Sequence, residues 1–191
     1  MCSMTSTSLP TVVTARSRIR YAASIGVLAS ALVVADQLTK WWAETTLIVG
    51  ATTPVVGEFV QWKLVYNPGA AFGLGSEFTW VLTMIAAIAV VGLLVLALRV
   101  RTPSWAVGVG LLLGGAVTHL GDRVAREPGF ARGHVVDFID YNGLFVGNVA
   151  DIALVVGAAL LMLLSVLDVE SVPPAAITAS GEEQLRSGKQ Q

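Results

Sequence analysis

Four apolar stretches stand out from a chain that is otherwise mixed in polarity: Tyr21 to Ala35, Phe78 to Val100, Ser104 to Gly121 and Val149 to Leu167. About 17–25 helical residues cross roughly 30 Å of hydrocarbon, so the pattern predicts four membrane-spanning helices. The first stretch runs on to Asp36 and Lys40, which read as its polar end. A Ser- and Thr-rich segment ending in Arg16, Arg18 and Arg20 precedes it. Three more apolar runs follow, rather than a small-residue cleavage site and a soluble domain, so the first is expected to be a retained anchor and not a removable leader.

The connections alternate in character. Spans two and three are joined by a tight turn carrying Arg99 and Arg101. The other two connections, about residues 41–77 and 122–147, are long. Within the first of them, Pro54 to Tyr66 holds Val55, Val56, Phe59, Val60, Trp62, Leu64 and Val65, a β-prone mixture with partial alternation. It stops at the turn formers Asn67, Pro68 and Gly69. A second extended piece is expected to begin at Val135 and Val136 after the Pro- and Gly-containing stretch 127–133. The expected architecture is an all-α integral membrane protein with a small extracytoplasmic sheet. Residues 1–20 form an N-terminal tail and 21–168 the membrane domain. Residues 169–191, opening with Pro173 and Pro174 and continuing polar, read as a disordered tail.

Composition agrees with lipid as the solvent: 54% of the 191 residues are hydrophobic and 13% charged. A net charge of −1, with no cluster of Lys and Arg, argues against a nucleic-acid partner. The single cysteine, Cys2, can form no intrachain disulfide, and no Cys/His set of metal-ligand spacing exists. Basic residues orient the spans. Arg16, Arg18, Arg20, Arg99, Arg101, Arg186 and Lys189 fall on one side, against Lys40, Lys63, Arg123, Arg126 and Arg132 on the other. The richer side is read as cytoplasmic, which puts both tails there and the two long loops outside.

Ionisable residues near membrane depth are costly unless paired or wetted, so their positions carry information. They gather at the outer boundary: Asp36 and Lys40 on span one, His119, Asp122 and Arg123 on span three, Asp137 before span four and Asp151 in its first turn. Each has a plain structural reading. Asp36 and Lys40 have the spacing of an i,i+4 ion pair, and Asn148 with Asp151 has that of a helix N-cap and its acidic N3 residue. Taken together, Asp137 and Asp151 are separated by a segment containing Asn142, Gly143 and Gly147 that can fold the two carboxyls toward each other. Two acids in a poorly solvated place share a proton, which is the arrangement an aspartyl protease uses to activate water without metal or cofactor. An inactive binding protein on the same scaffold is one rival reading and a proton-coupled carrier another, but carriers place such groups near the bilayer midplane, often within repeats. Neither feature is present here.

The motifs resemble those of one family, the lipoprotein signal peptidases, or signal peptidase II. The likeness rests on Asp36-Gln37-Leu38-Thr39-Lys40, Asn67-Pro68-Gly69-Ala70-Ala71-Phe72-Gly73, Gly114-Gly115-Ala116 leading to Asp122-Arg123, Val135-Val136-Asp137-Phe138 and Asn148-Val149-Ala150-Asp151, in that order. The resemblance implies a four-helix protease of the bacterial inner membrane with an extracytoplasmic β-cradle. It makes Asp137 and Asp151 catalytic, Asn67 and Arg123 holders of the substrate backbone, and Asp36, Lys40, Asp122 and Asn148 supports. The implied substrate is a prolipoprotein with a diacylglyceryl-modified cysteine, cut on that cysteine's amino side by a monomeric enzyme in contact with membrane lipid. Two positions depart from the family. Thr118-His119 stands where Gly-Asn is usual, and His119 is read as a group satisfying polar atoms at the helix end. Gly147 stands where Phe is usual, and a looser turn before Asp151 is expected from it.

Overall fold

The computed structural model describes residues 15–70, 74–169 and 171. The sequence features at Cys2, Ala71-Phe72-Gly73, Arg186 and Lys189, and most of both tails, lie outside those residues. Among the described residues the fold comprises helices α1 (Ala15–Thr46), α2 (Thr79–Ala97), α3 (Pro103–Ala125) and α4 (Val149–Val166) and strands β1 (Thr53–Val56), β2 (Val60–Asn67), β3 (Val135–Asp140) and β4 (Val146–Gly147). All four helices are long and apolar enough to cross a membrane, as the hydrophobic pattern predicts.

Two helices outrun their expected ends. Helix α1 continues past Asp36 and Lys40 to Thr46, and α3 continues past Gly121 to Ala125. The charges do not end these helices because they neutralise one another. Lys40 Nζ lies 2.6 Å from Asp36 and 2.7 Å from Asp122, and all three residues are buried. At about 1.5 Å per residue, α1 is roughly 48 Å long, well beyond the hydrocarbon thickness. Its last turns pack against the sheet. There Trp42 packs edge-on to Trp62 of β2 at 5.3 Å and to Phe138 of β3 at 6.1 Å.

Helix α3 forms the centre of the bundle, packing against α1, α2 and α4. It is able to do so because glycines open two of its faces. A Cβ at Gly110 or Gly114 would lie 2.8 Å from Leu28 or Leu32 of α1, and one at Gly108 or Gly115 would lie 2.5 or 2.7 Å from Leu161 or Leu154 of α4. Without a hydrophobic drive between helices in lipid, this close approach supplies the packing.

The sheet runs β1-β2-β3-β4 with every neighbouring pair antiparallel. The extended stretch expected over Pro54 to Tyr66 is divided into two strands by a turn in which Gly57 adopts φ +58°. Strand β3 begins at Val135, as expected, opposite Asn67, and Asp137 stands opposite Val65. Residues two apart share a sheet face, which sets Asn67 diagonally across from Asp137. Val136 and Phe138 alternate to the other face and are buried with Ala43 of α1 and Leu64 of β2. One side of β3 is thus fixed by apolar packing while the other presents Asp137.

Candidate functional site

Two positions bring the carboxyls of interest to one place. Asp137 is carried by the third of four strands and is 3% exposed. Asp151 occupies the first turn of α4, where the capping box expected from its spacing is formed. Asn148 Oδ1 accepts the Asp151 backbone N–H at 3.1 Å, and Asp151 Oδ2 accepts the Asn148 backbone N–H at 2.9 Å. The same Asn148 side chain donates from Nδ2 to Asp137 Oδ1 at 2.7 Å. A single asparagine therefore connects both acids. The other Asp137 oxygen accepts from Asn67 Nδ2 at 3.0 Å.

Burial is the main influence on the Asp137 carboxyl and raises its pKa from 3.8 to about 6. The negative charge of Asp151 pushes in the same direction, whereas the two asparagine donors and His119 oppose it.

Gly147 does not loosen this turn. It pairs with Ile139 across the β3–β4 ladder, and a Cβ there would stand 3.0 Å from Asp151 Oδ2 and 3.1 Å from the Phe145 ring. Glycine is the residue that lets the Asp151 carboxyl lie over the strand. The Phe145 ring, stacked on Tyr141 at 4.6 Å, occupies the space beside it.

His119 is also placed differently from expectation. Helix α3 runs on to Ala125, so the imidazole sits well before the helix end, and Nε2 reaches across to Asp151 Oδ1 at 3.1 Å. Arg123, one turn further along, is buried and donates from both terminal nitrogens to the carbonyls of Pro68 and Gly69. Asn67 Oδ1 accepts the Gly69 N–H at 2.9 Å. Asn67 and Arg123 thus border the acids while holding the loop at 67–70.

Asp36, Lys40 and Asp122 lie behind the acids and fix the elements that carry them. Asp36 Oδ1 accepts the Ala150 N–H of α4 at 2.9 Å, and Asp122 Oδ2 is 3.5 Å from the Val136 N–H of β3. Three members of this network escaped the sequence reading. Gln37 donates to Asp122 at 3.0 Å. Arg126 bridges Asp122 at 2.8 Å and Glu44 at 2.7 Å. The spacing held a clue to these last two, because Arg126 is four residues beyond Asp122 and Glu44 four beyond Lys40.

Asp137, Asp151, Asn67, His119 and Arg123 all line one cavity of about 560 Å³. Its remaining wall is apolar, with Leu82 and Ile85 from α2 facing Leu154 and Val155 from α4 across Ala116 of α3. The cavity opens where α2 and α4 flank α3. Such a cavity can hold a peptide bond against two carboxyls and an aliphatic chain against the helices.

Fold and site together define a multi-pass membrane enzyme. Residues 28–167 match the family model for signal peptidase (SPase) II, and the chain belongs to that family, whose members are proteases. It is 46% identical over 139 residues to a lipoprotein signal peptidase of Mycobacterium avium (strain 104), covering 73% of this chain and 76% of that one. It is 42% identical over 144 residues to a lipoprotein signal peptidase of Rhodococcus jostii (strain RHA1), with coverage of 75% and 73%. A bacterial membrane enzyme solved by the in meso method at 2.3 Å resolution superposes with a TM-score of 0.69 at 28% identity, over 80% of this chain and 93% of that one.

Proposed function

We propose that this protein cleaves the signal peptide from diacylglyceryl-modified prolipoproteins on the amino side of the lipidated cysteine, using Asp137 and Asp151 as an aspartyl pair. The observation that carries the reading is the bridging of both acids by Asn148 at the polar end of an otherwise apolar cavity. One carboxylate takes a proton from water as that water attacks the scissile carbonyl. The other, in its acid form, protonates the carbonyl oxygen and then the leaving nitrogen. A pKa of about 6 suits Asp137 to exchanging a proton near neutral pH.

The apolar wall fits acyl chains that stay partly in the bilayer, while Asn67 and Arg123 sit where a substrate backbone would replace or extend the contacts of the 67–70 loop. The working molecule is a monomer in the bacterial inner membrane, with the cavity at the extracytoplasmic face. Orientation by basic residues supports this face. Of the five cations on the outer side, Lys40 is buried in ion pairs, Arg126 is ion-paired and Arg123 is buried against backbone carbonyls.

The test is a gel-shift cleavage assay with purified protein in detergent. Lipidated prolipoprotein is run beside its unlipidated precursor and beside the Asp137→Asn and Asp151→Asn variants. Cleavage of the lipidated form alone, lost by about a thousandfold or more in each folded variant, is the expected result. Near wild-type turnover in either variant removes that residue from the mechanism.

A further inference from the structure

Asp151 enters the cavity from a helix end with its oxygens held from two sides. The capping box fixes Oδ2 through the Asn148 backbone N–H, a contact within the same helix turn. Oδ1 is met from a different helix, by His119 Nε2 at 3.1 Å. One hydrogen bond restrains the torsion about the Cβ–Cγ bond without fixing it, because hydrogen-bond lengths and angles tolerate some swing. A second donor on the other oxygen sets its plane. Asp137 is already fixed on both oxygens by Asn67 and Asn148, so His119 supplies the last constraint on the mutual orientation of the pair.

We propose that His119 is a positioning residue: by donating from Nε2 to Asp151 Oδ1 it sets the plane in which that carboxylate faces Asp137 and the water between them. This rests on the peptidase reading above. Asp151 is the hydrogen-bond partner of the imidazole in the cavity, and Asp137 acts on it only through space. Arg123, on the same helix, is engaged with Pro68 and Gly69. Asp137 from β3 has both oxygens occupied by amides, and α2 faces the ring with Leu82 and Ile85. The imidazole also bridges α3 to α4 at the cavity wall, and the proposed effect reaches the reacting atoms through Asp151.

Two substitutions separate positioning from bulk. His119→Gln places an amide nitrogen the same number of bonds from Cβ as imidazole Nε2, so the donor is kept. His119→Phe keeps the ring and removes the donor. With lipidated prolipoprotein as substrate, His119→Phe is expected to lower kcat about 30- to 100-fold with KM within about twofold, because orientation acts on the chemical step. His119→Gln is expected to restore kcat to within about fivefold of wild type. Melting temperatures establish that both variants fold, and His119→Leu serves as the donorless variant if the phenylalanine is not accommodated. A donorless variant with wild-type kcat, or a folded His119→Gln no better than the donorless one, overturns the proposal. Wild-type protein that leaves the lipidated substrate uncut overturns the peptidase reading and this inference together, whereas loss of the kcat contrast in an active enzyme overturns this inference alone.

Discussion

Asn148 donates its side-chain amide to Asp137 at 2.7 Å while its own side-chain oxygen accepts the backbone N–H of Asp151 at 3.1 Å. The residue that begins α4 therefore also spaces the two acids. Its two jobs separate by substitution. Asn148→Ser keeps a good helix cap but has no amide to offer Asp137. Thermal melting is expected to move little, by about 1 kcal/mol or less of stability, while cleavage falls by roughly a hundredfold as Asp137 loses its alignment. Equal losses of stability and activity would mean that the cap alone matters.

Burial of Asp137 makes stability depend on pH with a definite sign. Its carboxyl titrates at about 6 in the folded protein against 3.8 when unperturbed. Between those values the native state binds more protons than the unfolded one. The stabilising contribution is therefore fully present below 3.8 and is lost as pH rises through about 6, by at most about 3 kcal/mol. Wild-type melting temperature is expected to fall over this window relative to Asp137→Asn, whose side chain does not titrate. Parallel curves in a pH series of thermal melts would contradict it.

Lys40 sits between two carboxylates with no exposure to solvent. Lys40→Met removes the cation but leaves Asp36 and Asp122 buried beside each other. Breaking a buried ion pair on one side costs about 3–5 kcal/mol, so the variant is expected to melt far below wild type, and activity to vanish with the fold. A melting temperature within a few degrees of wild type would show that the acids find protons or water at that depth.

Gly115 tests packing without altering a polar side chain. An added methyl would lie 2.7 Å from Leu154 Cγ and 3.0 Å from the Ala150 carbonyl oxygen, one residue before Asp151. Gly115→Ala is expected to push the start of α4 outward, costing about 1–3 kcal/mol and lowering kcat about tenfold or more through displacement of Asp151. The same change at Gly121, where a Cβ meets nothing within 4 Å, is the control and is expected to be silent in the same assay.

Periodicity alone disclosed the four spans, because runs of apolar residues have one physical explanation at that length. The sheet was legible at the strand ends, where Asn67-Pro68-Gly69 stops β2 and Val135 starts β3. The true ends of α1 and α3 were not. Asp36 and Lys40 look like the polar boundary of a span until Asp122 is brought against them, and that contact joins residues 82 positions apart. Local pattern carries no information about such a pairing. The roles of Gly147 and the partner of His119 were hidden for a related reason: one makes room for a side chain of the next helix and the other reaches across to it. Both contacts are set by how α3 and α4 dock.

The central place of α3, with α1, α2 and α4 packed around it, has a consequence for synthesis. Asp137 precedes the last helix and Asp151 lies on it, so the ribosome delivers the second acid after the rest of the bundle has been made. Until α4 seats on the glycine face of α3, the two carboxyls have no shared cavity. A chain that is unfinished thus holds Asp137 without its counterpart and, on the proposed mechanism, is inert. On the same mechanism, proteolytic competence arrives with the last helix, as a property of the completed bundle.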